Sequence, residues 1–82
     1  MTRPTKQQAL DTERASLTRE AAYEIDALTE LLIKGVEMDW RAARGVASRV
    51  RKLSHAVMWL ADSDIARADM GRAREIVSGE RP

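Results

Sequence analysis

Apolar positions recur along this chain at helical spacing, and no strict alternation lasts over five residues. Leu17, Ala21, Ile25, Leu28, Leu31, Leu32 and Val36 fall within an arc of about 140° at 100° per residue, while Arg19, Asp26, Glu30, Lys34 and Glu37 fall opposite. That is one stripe on one amphipathic helix, expected over 12–35, with Thr12 or Ser16 at its start. Leu10 lies on the same stripe, so an earlier start fits as well.

Around Lys34-Gly35-Val36-Glu37-Met38-Asp39 the stripe loses phase. Gly35 can supply a left-handed C-cap and Asp39 the N-cap of a second helix, so a short turn is expected here. The competing reading is one long helix with a stutter. The second helix, expected over 39–61, carries the clearest signal, because Ala43, Val46, Val50, Leu53, Val57 and Leu60 repeat at 3-4-3-4-3. Together with Ile25, Leu28 and Leu32 of the first helix they form a packing seam, with Ala47, Ser54 and Ala61 small enough beside it for close approach.

Asp62-Ser63-Asp64 interrupts next. Asp64 or Ser63 would cap a shorter third helix over 64–77, with Ala66, Met70, Ala73, Ile76 and Val77 as its apolar positions and Gly71 as a weak point. Residues 1–11 and 78–82 are expected to be flexible tails around a single helical domain. The fold class is therefore all-α, an antiparallel helical hairpin plus a short third helix. Each helix has only one good apolar face, so a second copy would remove the most apolar surface from water, and a dimeric helical bundle is expected.

The chain has 82 residues, so its core is small, and it has no Cys, so disulfides, thiolate nucleophiles and zinc knuckles are excluded. No apolar run spans a membrane or follows the basic N-terminus as a secretory signal would, and a cytoplasmic location is expected. The 14 Lys and Arg against 13 Asp and Glu nearly cancel, but not segment by segment. Residues 9–39 hold eight acids and three bases, whereas 40–59 hold Arg41, Arg44, Arg49, Arg51 and Lys52 and no acid. One explanation is that the two helices face each other with complementary flanks. A second is that those five cations bind phosphate, and an acidic protein partner is a third.

Trp59 points about 180° from the Val50 and Val57 seam, so either another element covers it or, flanked by Met58, it anchors a partner. Trp40 stands at the start of the second helix, where an aromatic can close the end of a core or join the same contact. Tyr23 lies on the polar side of the first helix.

Catalytic chemistry is not found. His55 is the single histidine and points away from the seam; Ser54 and His55 point about 100° apart, so one cannot serve the other as base. Glu20 and Glu24 lack the Glu-x-x-His companions of a bundle metal site, and the glycines are isolated, so no cofactor is expected. The expected function is a non-enzymatic protein interaction module, a bacterial or phage regulator or adaptor working through helical surfaces as a homodimer. The alternative is a nucleic-acid-binding regulator using the basic second helix.

Overall fold

The computed structural model describes residues 3–34 and 37–79, and these form three helices: α1 (Lys6–Ile33), α2 (Trp40–Leu60) and α3 (Arg67–Ser78). Among the described residues there is no strand.

α1 begins six residues before Thr12. Thr5 is its N-cap and closes a reciprocal box with Gln8: the Gln8 N–H donates to Thr5 Oγ1 at 3.1 Å, and the Thr5 N–H donates to Gln8 Oε1 at 2.8 Å. Those two bonds satisfy donors that a helix start otherwise leaves open. Residues 6–11, expected as tail, are therefore helical, and Leu10 packs against the core. Gly35, expected as the C-cap, lies outside the described residues; α1 ends on Lys34, whose N–H donates to the Glu30 carbonyl at 2.9 Å.

Glu37, Met38 and Asp39 are not helical, which removes the single long helix. Asp39 caps α2 as its sequence position suggests, with Oδ1 accepting from the Ala42 N–H at 2.8 Å. The third helix starts at Arg67, with Ala66 in the cap position and no side-chain cap. Asp64 does not cap it, because Asp62 organises a turn first: its carboxylate accepts from the Asp64 N–H at 2.9 Å and its carbonyl from the Ile65 N–H at 3.2 Å. The turn delivers Ile65 to the core and delays the helix. α3 ends at Gly79, whose φ of 73° is the left-handed conformation glycine adopts without steric cost.

The buried core consists of Ala21 from α1, Leu53, Ala56 and Leu60 from α2, and Met70, Ala73 and Val77 from α3. Leu10, Leu17, Ile25, Leu28, Val57, Trp59, Ile65 and Ile76 pack around it half-buried. Only Leu53 and Leu60 are large side chains with less than 2% exposure, so the interior is thin. The seam of α2 is correspondingly split. Leu53 and Leu60 are its centre, Ala56 and Trp59 extend it to one side, and Val46, Val50 and Val57 stay half-buried on the other. Leu32, expected in the seam, is 43% exposed and lies outside the core.

Leu53→Ala should cost about 2–5 kcal/mol, since the site is closed on every side, whereas Met58→Ala, at 70% exposure, should stay within about 0.5 kcal/mol. Urea unfolding followed by circular dichroism checks both; equal midpoint shifts would remove Leu53 from the centre of the core.

Candidate functional site

Three arginines join the helices, and two of them end on carbonyls at helix C-termini. Arg14 Nε of α1 donates to the Leu60 carbonyl at 2.9 Å, in the last turn of α2. Arg49 of α2 donates through Nη1 to the Ile76 carbonyl of α3 at 2.7 Å and grips Glu24 of α1 in a fork, Nε to Oε2 at 2.5 Å and Nη2 to Oε1 at 3.0 Å. Arg74 of α3 grips Glu13 of α1 in the same way, at 2.8 and 2.7 Å. The last carbonyls of a helix lack intrahelical donors and carry partial negative charge, so a cation there is doubly favourable. Neither α2 nor α3 has a basic residue in its own last turn, and neighbouring helices supply one.

The hydrogen bond from Arg49 holds the Glu24 carboxyl below the ordinary value of 4.5, with burial opposing it. Arg74 does the same for Glu13. Arg49 is thereby removed from the phosphate-binding set expected from sequence: its side chain is 27% exposed, and its donors are committed inside the fold. Glu24–Arg49 is also the one ion pair between α1 and α2 among the described residues, so complementary flanks account for little of the charge separation.

Arg41, Arg44, Arg51 and Lys52 are exposed and enter no ion pair among the described residues. They occupy an arc of about 100° of α2 shared with Ser48 and His55, both also exposed, and with the half-buried Trp59 toward its C-terminal end, and the arc holds no acid within the helix. Arg41 rests its guanidinium over the Trp40 ring, 5.4 Å from the centroid. Trp40 itself is 68% exposed, so it does not close the core. Met58 is exposed on the same line of α2, whereas Trp59 is half-buried against the core, its ring 6.5 Å from that of His55. The three residues expected to meet a partner are thus divided, two outward and one inward. Tyr23 points outward, as its sequence position suggests.

A face that sequence reasoning did not single out lies between α1 and α2. Thr18, Ala22, Ile25, Thr29, Ser54 and Val57 line a shallow groove there, and Asp26 is its one charged residue. Of the small residues beside the seam, Ser54 is the one that lines it. Glu24 and Arg49, which bond toward α3, lie on the other flank of the same two helices, so this groove is on the side α3 does not cover. Among the described residues no three His, Cys, Asp or Glu side chains gather as a metal-holding group, and no helix is long and apolar enough to cross a membrane. No family model matches the sequence, and no curated protein or solved structure shows significant similarity to it.

Glu13 and Glu24 titrate lower in the folded chain than in the unfolded one, so their contribution to stability is present above about 4.5 and is lost as the pH falls below it. The urea midpoint should drop between neutral pH and pH about 3, and the drop should be shallower in Glu13→Gln/Glu24→Gln. An identical drop in that variant would mean the two forks contribute nothing. The tryptophans offer a separate check: emission from Trp40→Phe, reporting Trp59, should lie to the blue of emission from Trp59→Phe, reporting the exposed Trp40, and coincident spectra would contradict the burial described.

Proposed function

We propose that the chain is a non-enzymatic helical interaction module, a small regulator or adaptor, that acts as a homodimer built on the α1/α2 pair. In this reading α1 and α2 are an antiparallel hairpin. The bond from Arg14 to Leu60 and the fork of Arg49 on Glu24 support it, because advancing ten residues along α1 corresponds to retreating eleven along α2.

The groove opposite α3 carries the proposal. Its floor is apolar or small, and a single carboxylate interrupts it, the depletion of charge that marks the centre of an interface. Val46 and Val50, half-buried, lie on the same arc of α2 as the groove residue Val57, and all three belong to the seam whose regular spacing suggested a bundle in the first place. Leu32, Ile33, Trp40 and Met58, between 43% and 78% exposed, flank it on the same side. The occupant is a second copy. A thin core with two large buried side chains leaves this face as the main apolar surface still in water, and a two-fold axis lets the same patch cover itself. Small residues along it allow close helix approach, as in four-helix bundles. Partner proteins would then meet the outward surfaces of the dimer.

Sedimentation should give twice the chain mass at micromolar concentration. Ala22→Glu, on the exposed groove wall, should yield a folded monomer, while Val50→Asp should shift the mass or unfold the chain. A wild-type chain that stays monomeric up to millimolar concentration, or an Ala22→Glu variant that still dimerises, would remove this interface.

A further inference from the structure

We propose that the outer face of α2 is a binding surface for the phosphate backbone of duplex nucleic acid. This inference stands apart from dimerisation, since it uses a different arc of the same helix.

The observation behind it is a selective absence of partners. Asp11 pairs with Arg14, Glu13 with Arg74, Glu24 with Arg49, Glu30 with Lys34 and Asp69 with Arg72, so five of the carboxylates of α1 and α3 serve cations elsewhere. None reaches Arg44, Arg51 or Lys52, and Arg41 has only the Trp40 ring. Four cations therefore share one exposed face without an ion pair among the described residues, Glu75 of α3 lining the same cavity as Lys52 without bonding it, although the whole chain carries a net charge of only +1.

Geometry selects the occupant. Arg44 and Arg51 are two turns apart, about 10 Å along the axis, and Arg41 and Lys52 span about 16 Å. A duplex of that length, about five base pairs, presents about ten phosphate charges. Ser48, small and exposed, stands among the cations, so the helix can approach a ridge of phosphates closely. No aromatic side chain stands between Arg44 and Lys52, and the exposed Trp40 ring at the start of the face lies under the Arg41 guanidinium, so the face lacks the row of free rings on which successive bases of a single strand stack. It also lacks large apolar residues over that stretch, which an amphipathic helix requires to enter a lipid surface. A rigid, regularly charged polymer fits what remains.

The test is binding of the full chain to a short duplex DNA of arbitrary sequence, followed by fluorescence anisotropy across a salt series. With four phosphates neutralised, affinity should fall roughly tenfold for each doubling of salt. Arg44→Ala/Arg51→Ala/Lys52→Ala, which keeps good helix formers on an exposed face, should weaken binding at least tenfold at about 50 mM salt and flatten the salt dependence by about three-quarters. Lys6→Ala/Arg19→Ala/Arg67→Ala removes the same charge from other exposed positions and should bind within about twofold of the parent. Circular dichroism confirms that each variant is folded, and an unchanged sedimentation mass separates this surface from the dimer groove. No binding to duplex at low salt, binding that survives loss of the three α2 cations, or capture by phosphatidylglycerol vesicles without capture by duplex would each overturn the proposal.

Discussion

Arg49 is the side chain on which the arrangement of the three helices turns. Its guanidinium lies on α2, forks onto Glu24 of α1 and donates to the Ile76 carbonyl at the end of α3. Hydrophobic burial does not discriminate strongly between rotations and slides of one helix on another, especially where only Leu53 and Leu60 are large and fully buried. A planar donor with fixed directions does, because a displacement of one residue breaks the fork and the carbonyl bond together. Since Arg49 and Glu24 keep part of their surface in water, each of these bonds contributes modestly to stability. Their larger effect is on which packing is chosen, and Arg14 and Arg74 act in the same sense at the other contacts.

The three helices could be read from the chain because each has an apolar stripe of period 3.6, and Asp39 was legible as a cap because its neighbours include no rival. The start of α1 was not, since the Thr5–Gln8 box uses glutamine in place of the acid and precedes any dense apolar run. Asp64 misled for a related reason: Asp62 reaches the same backbone first and spends that segment on a turn. For the site, local spacing put Leu53 and Leu60 on the face of α2 that is buried and left Arg41, Arg44, Arg51 and Lys52 on a face that is exposed. It could not reveal that Arg49, alone of the five cations, finds a carboxylate and a helix end across the fold, because those partners lie 25 and 27 residues away.

α2 consequently has three distinct outlooks. Ala56 and Trp59 extend its core toward the side on which Arg49 bonds to α3, Val46, Val50 and Val57 lean toward the open groove, and Arg44, Arg51 and Lys52 look outward. Trp59 was out of phase only with a seam meant for a single neighbour. Once a helix packs against two neighbours its apolar arc must widen, and a residue that looks misplaced on one seam becomes the margin of another. The half-buried valines are the same phenomenon on the opposite margin, where Val57 packs against the core beside the groove and Val46 and Val50 stay partly exposed.

The outward cations then stand out energetically. Arg41 and Arg44 lie in the opening turns of α2, where the helix dipole is positive and cations are unfavourable, and Asp39 supplies the only acid that answers them there. Like charges sharing one exposed face also repel one another, weakly in water but without compensation from the carboxylates that the fold directs to Arg14, Arg49 and Arg74. For Arg44, Arg51 and Lys52 the folded chain forms no ion pair among the described residues, so no salt bridge offsets that repulsion. A polyanion laid along that face would add an attraction to every one of these cations and outweigh the weak repulsion among them, and that gain is what assigns the face to phosphates.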